Sequence, residues 1–359
     1  MTSALRGITV LDLTRLLPGA VATQRLVAMG ARVIKIEQPG VGDYARYQFQ
    51  GPGENPIFAL TNGGKESIAV DLKPEAGKQF LRRLVERADV VIESFRPGVM
   101  DRLGLGYLAL AERNPRLIFC AISGYGSGGP YADLAGHDLN YCAMAGLLDQ
   151  VGTPETPVIP GVQIADLAGG SLQAVIGILA ALYERTVTGR GQFIDISMFH
   201  GLRDLLPVPL AQIANGHDAG RVPGLLTGRY ACYQIYACRD QRFVAVGALE
   251  PKFWANLCTA LQCPDLIRDQ FAAEPRQSEV IATLRALFAS QDAAKWFSLL
   301  GSRDCCLTPV RTLTEATPDL SLANLGPAPS LGSATRAVAR ECGWPDSEIN
   351  ELFQQGVLG

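Results

Sequence analysis

Residues 7–40 read GITVLDLTRLLPGAVATQRLVAMGARVIKIEQPG. Two short apolar runs, 8–13 (ITVLDL) and 32–37 (RVIKIE), flank a stretch from Pro18 to Met29 that Gly30 closes. Runs of this length suit strands, and the stretch between them suits a helix. The same alternation continues outward. Val70 and Leu72 suggest a third strand, and Pro74 opens a helix over EAGKQFLRRLVERA. Residues 89–92 (DVVI) and 117–122 (LIFCAI) supply a fourth and a fifth strand, and 192–198 (QFIDISM) another. Before that last strand a strongly apolar helix runs from Asp166 to about Arg185. Strands alternating with helices imply a parallel sheet covered on both faces, an α/β lobe of Rossmann-like outline.

From Gly228 the pattern changes. Residues 230–237 and 242–247 read as two antiparallel strands around the turn at 239–241, followed by helices near 251–261, 277–289 and 292–300. The expected organisation is a large lobe over 1–200, completed by about 330–359, and a smaller α+β lobe over 228–314. A Pro-, Gly- and Ala-rich linker spans 201–227 and a return linker spans 315–329.

The bulk properties exclude several classes. A net charge of −3 over 359 residues is no footprint of a nucleic-acid or acidic-membrane binder. Nine cysteines without a CxxC pair fit reduced thiols in a cytoplasm better than a disulfide framework. Three histidines, at 137, 200 and 217, are too few for a histidine-rich metal site. The N-terminus turns into a strand too soon for a signal peptide, and the apolar helix near 167–182 carries Gly169, Gly170, Ser171 and Gln173, which suits a buried helix rather than a membrane span.

Gly124, Gly126 and Gly129 match the spacing of a dinucleotide-binding loop after a strand. Pro130 follows at once, and YADLAGHD carries no long amphipathic helix. A turn is the better reading.

Three ionisable residues sit at element boundaries, where side chains can face a cleft: His137 in AGHDLNY, Asp166 in IADLAGG and Glu250 in FVAVGALE. Each also has a purely structural reading. Asp166 suits a helix N-cap, Glu250 before Pro251 suits a helix-start acid, and a lone histidine is more often a hydrogen-bonded core or surface residue.

As a set they carry a resemblance. The chain resembles alpha-methylacyl-CoA racemases and, more broadly, family III CoA-transferases of the CaiB/BaiF type. The likeness runs from residues 7–40 through SIAVDLK (67–73), SFRPGVMDRLGLGY (94–107), NPRLIFCAISGYGSGGP (114–130), GHDLNY (136–141), IADLAGG (164–170), TGRGQFIDISM (188–198), VGALEPKFW (246–254) and DCCLTPVRTLTEA (304–316). The aspartate matching Asp166 is a nucleophile in the transferases and a base in the racemases. The histidine and glutamate matching His137 and Glu250 belong to the racemase pattern. The glycine quartet of formyl-CoA transferases is absent from PGLLTGRYACY. Two features depart from the racemases. Residues 43–64 are longer, as in the transferases, and Gln38 stands where an arginine is common near the CoA pocket, with Lys35 and Lys65 the candidates to replace its charge.

The resemblance implies racemisation of 2-methylacyl-CoA thioesters by two-base proton transfer, with CoA transfer through Asp166 as the alternative. Asp166 serves one face of the α-carbon. His137 serves the other, with Glu250 accepting its imidazole proton, and a backbone N–H near Asp166 stabilises the enolate. It implies a CoA site of Lys35, Val70, Asp71, Leu72, Lys73, Arg96, Gly136, Asp138, Leu139, Asn140 and Tyr141. It implies an interlocked homodimer, and no metal or cofactor beyond the CoA of the substrate.

Overall fold

The computed structural model describes residues 3–47, 55–217, 219–221, 223–318 and 327–359. Two units divide the chain. One is Met1–Gly220 with Ser321–Gly359, and the other is Arg221–Leu320.

The first unit is built on six parallel strands: β1 (Thr9–Leu13), β2 (Arg32–Glu37), β3 (Glu66–Ala69), β4 (Val90–Glu93), β5 (Ile118–Ser123) and β6 (Phe193–Ser197). Their order is β3-β2-β1-β4-β5-β6. Inner strands of such a sheet are covered on both faces, so their sequences are near-continuous apolar runs rather than alternating ones. Two apolar cores result, one on each face, around Phe80 and Leu81 and around Leu26 and Ile178. The helix Leu16–Ala28 ends at Gly30, whose φ of +97° suits glycine. There the Ala31 N–H donates to Leu26 O and the Gly30 N–H to Val27 O, the paired closure that satisfies a helix's last carbonyls.

Expectation and structure part at three places. The third strand lies at Glu66–Ala69, upstream of Val70 and Leu72. Val70 bridges to Leu358 instead, and the Asp71 N–H donates to Val357 O, so the chain's end closes this edge. The helix expected from Asp166 starts as a π-helix, Ala165–Leu172, and continues as α-helix Gln173–Thr188. The segment expected as a linker after 200 carries the rest of helix Met198–Arg203 and the helix Pro207–Ala214. The latter buries none of its residues, so no apolar period marks it. The return linker lies partly outside the described residues, and helix Thr335–Glu341 follows it. Of the long 43–64 segment, 48–54 also lie outside them.

The second unit has three antiparallel strands, β7 (Tyr233–Ala237), β8 (Phe243–Gly247) and β9 (Leu307–Pro309). Helices Pro251–Ala260, Arg276–Phe288 and Ala293–Leu300 pack on them around buried Tyr236, Trp254 and Phe288. The three-residue β9 was too short to read from the sequence.

Candidate active site

β1 has β2 on one side and β4 on the other, so the chain leaves the two central strands in opposite directions. Ligands of open α/β sheets bind in the crevice beyond the carboxyl ends at such a point. A cavity of about 550 Å³ lies there, lined from the end of β1 (Arg15, Leu16), β4 (Ser94 to Pro97), β5 (Ile122 to Tyr125) and by His137, Asn140, Tyr141 and Asp166. A second, of about 310 Å³, runs past the ends of β1 and β2 to Val70, Asp71, Leu72 and Lys73. Arg15 and Phe95 line both.

Asp166 sits in the first turn of the π-helix, not at its cap. Its own N–H donates to Asp138 Oδ1 at 3.0 Å, so Asp138 does the capping. Wide π turns are rare and gather at functional sites. Here glycine lets the turn pack directly against helix Met198–Arg203. A Cβ on Gly169 would stand 2.5 Å from Met198 O, and one on Gly201 only 2.3 Å from Gly169 O. Ser171 Oγ donates to Pro18 O at 2.6 Å and to Asp166 O at 3.1 Å, tying the turn to the start of helix Leu16–Ala28. Burial, and then the Asp138 carboxylate, push the Asp166 carboxyl up to about 7.

His137 is extended (φ −126°) just ahead of helix Asp138–Met144, and its N–H donates to Asn140 Oδ1 at 3.1 Å. The side chain is exposed and lines the Asp166 cavity. The buried Tyr141 hydroxyl donates to Gly136 O, and burial first, then Asp166, raise that phenol to about 12. Tyr141 also explains the glycine spacing. A Cβ on Gly124 would lie 2.3 Å from its ring, while Gly126 and Gly129 have φ of +90° and +93°. No helix opens directly at Gly129, and the next begins only at Asp138, so this is a turn, not a phosphate loop.

The remaining sequence candidates divide. Arg96, Gly136, Asn140 and Tyr141 share the cavity of His137 and Asp166, and Val70 to Lys73 line the second one. Asp138 and Leu139 line neither: Asp138 is turned to the Asp166 N–H and Cys142 Sγ, and Leu139 is an exposed side chain. Lys35 cannot meet a ligand. It is fully buried, 2.8 Å from Asp43. Lys65 is equally buried, 3.2 Å from Asp12, and burial lowers its amine to about 8. The backbone donors expected at Asp166 are also committed, Asp166 N–H to Asp138 and Leu167 N–H to Gln163 O at 3.0 Å. Glu250 belongs to the second unit, exposed at the start of helix Pro251–Ala260.

Two residues escaped the sequence reading. Glu93 ends β4 and accepts the Phe95 N–H at 2.6 Å; burial, and then Asp101 and Asp195, raise its carboxyl to about 8. An acid closing an all-apolar strand (VVIE) was its signal. Arg15 follows β1, its guanidinium 5.2 Å from the Tyr44 ring centre and 5.3 Å from that of Phe95. The next residue, Leu16, has φ +61°, a backbone that costs a non-glycine residue about 1–3 kcal/mol and persists only where neighbours fix it. Among the described residues, no group of three or more His, Cys, Asp or Glu side chains is placed to hold a metal ion.

The family model for CoA-transferase family III matches residues 5–331. Human alpha-methylacyl-CoA racemase is 38% identical over 87% of this chain and 79% of its own. Mouse succinyl-CoA:glutarate CoA-transferase is 34% identical over 99% of this chain and 90% of its own. The crystal structure of a CAIB/BAIF family protein from Brucella suis superposes with a TM-score of 0.81 at 30% identity, covering 95% of this chain and all of that one.

Proposed function

The chain belongs to CoA-transferase family III, and on that premise we propose that it racemises 2-methylacyl-CoA thioesters. One observation carries the reading: Asp166 and His137 line a single cavity at the switch point of the sheet. In one direction the Asp166 carboxylate takes the α-proton, the electron pair moves onto the thioester oxygen, and protonated His137 returns a proton to the opposite face. The other enantiomer reverses the roles. A general base works best when its pKa lies near the working pH, and an Asp166 carboxyl raised to about 7 meets that condition. Glu250 enters through the family resemblance, as the carboxylate that accepts the imidazole N–H. CoA arrives as part of the substrate, the same resemblance makes the working enzyme an interlocked homodimer, and nine cysteines without a disulfide framework support a reducing cytoplasm as its compartment.

A second reading is favoured by the transferase relative, which is nearly as similar as the racemase. In it the Asp166 carboxylate attacks the thioester carbonyl, expelling CoA thiolate and forming a mixed anhydride; the thiolate then attacks the Asp166 carbonyl and releases the donor carboxylate, and an acceptor carboxylate takes CoA from the resulting aspartyl thioester by the same two steps in reverse.

The test is incubation of one enantiomer of a 2-methylacyl-CoA in deuterated water without an acceptor acid. The racemase exchanges the α-proton. A silent α-carbon, with CoA moving onto an added carboxylate, would establish the transferase. His137→Ala is expected to lower exchange by about 10²- to 10⁴-fold, the contribution of a positioned acid–base group. Undiminished exchange in that variant would remove His137 from the mechanism.

A further inference from the structure

We propose that Arg15 binds the diphosphate of the CoA nucleotide at the wall shared by the two cavities. The inference rests on the acyl-CoA reading of the site and begins with charge. In that reading the 310 Å³ cavity takes the nucleotide half of CoA and the 550 Å³ cavity takes the thioester. Gln38 lines the nucleotide cavity without bringing a charge, while Lys35 and Lys65 are sealed in the core.

Two of the three acids on that cavity's wall are paired with cations. Glu37 takes two hydrogen bonds from Arg46, at 2.8 and 2.7 Å, and one from Ser67 Oγ at 2.6 Å. Asp43 is 2.8 Å from Lys35 Nζ, and Asp71 Oδ1 accepts the Lys73 N–H at 3.0 Å. The cations among its lining residues are Arg15 and Lys73. Lys73 is an exposed side chain in a turn.

Arg15 is held in advance. The carbonyl before it, Thr14 O, accepts from Lys35 Nζ at 3.0 Å. Its own N–H donates to Ser94 Oγ at 3.0 Å, and the following Leu16 N–H donates to Asp43 Oδ1 at 3.0 Å. The buried Lys35–Asp43 pair therefore positions the loop that presents Arg15. The guanidinium lies over the rings of Tyr44 and Phe95, with Nη1 donating to the Tyr44 hydroxyl at 3.3 Å. Among the described residues no carboxylate pairs with it. A planar fork with open donors suits two oxygens of a phosphate.

Position selects which anion. The diphosphate is the charged link between adenosine and pantetheine, so it is the part that passes a wall common to both cavities. The 3′-phosphate lies beside the adenosine, and a carboxylate on the acyl chain would lie beyond the thioester.

The experiment is calorimetric titration of CoA, dephospho-CoA and a dicarboxylic acyl-CoA into wild type, Arg15→Met and Arg15→Lys. Arg15→Met is expected to weaken all three ligands by roughly 10- to 100-fold, the loss of a charge-assisted contact. Arg15→Lys is expected to recover part of it by keeping charge without the fork. If Arg15→Met does not fold, Arg15→Lys and Tyr44→Leu, which removes one of the two rings, carry the same comparison. Equal affinity of wild type and variant for CoA overturns the proposal and leaves the acyl-CoA reading standing. A loss with CoA but not with dephospho-CoA moves Arg15 to the 3′-phosphate, and a loss confined to a dicarboxylic acyl-CoA moves it to the acyl carboxylate; either overturns it. A wild type that binds no CoA sinks the underlying reading itself.

Discussion

At Asp166, folding and chemistry pull in opposite directions. Burial next to Asp138 raises its carboxyl from 3.8 to about 7. Between those values the folded chain holds a proton that the unfolded chain has released, so this group's contribution to stability falls as pH rises from about 4 to 7. Above 7 the ionised group destabilises the fold, by a few kcal/mol at one pKa unit per about 1.4 kcal/mol. Asp166→Asn removes the charge and keeps the shape. It should abolish α-proton exchange while raising the free energy of unfolding at pH 8 by about 2–4 kcal/mol, a gain that shrinks towards zero near pH 4. Urea unfolding at pH 8, 6 and 4 measures this, and a variant no more stable than wild type at pH 8 contradicts the assigned ionisation. The residue was visible in the sequence because an acid opens an apolar run in IADLAGG. Its raised pKa was not, since the burial that chiefly raises it exists only in the fold, and the Asp138 carboxylate that adds to it is 28 positions away in the chain. Arg15 was invisible for a related reason. Its setting depends on a left-handed backbone at Leu16, which a leucine gives no sign of adopting.

The element that matters most is the π turn. Helices Ala165–Leu172 and Met198–Arg203 approach almost to backbone contact, and Gly169 and Gly201 are what allow it. Gly201→Ala would put a methyl 2.3 Å from Gly169 O, against backbone that cannot swing aside as a side chain could. The helices must separate, which costs about 1–3 kcal/mol as overpacking does, and Asp166 moves with its turn. The expected result is a fall in kcat for exchange larger than the loss of stability explains at the assay temperature. Measuring kcat and the unfolding free energy on the same preparation separates the two, and unchanged kcat would show that Asp166 does not depend on this packing. The elements that the sequence disclosed are those with a buried apolar face, such as β1, the helix Leu16–Ala28 and β2. Those it concealed lack one or are partnered from afar. Pro207–Ala214 buries nothing, and Val70 is paired with Leu358, near the far end of the chain.

On the scale of the whole molecule, the sheet order decides where the site lies, and strand order is not written in local spacing. Alternation disclosed a parallel α/β sheet; only the pairing of β1 with both β2 and β4 marks the crevice. Both cavities at that crevice are lined by the first unit alone. The second unit has a core of its own, with Tyr236, Trp254 and Phe288 fully buried and the Tyr236 and Phe288 rings 4.9 Å apart. Trp254 Nε1 donates to Leu266 O and Trp296 Nε1 to Phe288 O, so its large polar aromatics are satisfied within it. A segment of about 100 residues with a closed core of this kind should fold independently. Residues 221–320 expressed alone are therefore expected to melt in a single cooperative transition, with an enthalpy of about 60–80 kcal/mol for that length. The isolated segment should bind no CoA, because the walls of both cavities are missing from it. Calorimetry of the segment, with and without CoA, checks both halves. A non-cooperative melt would mean that the core needs the first unit to close, and CoA binding by the segment would place the nucleotide somewhere other than the crevice.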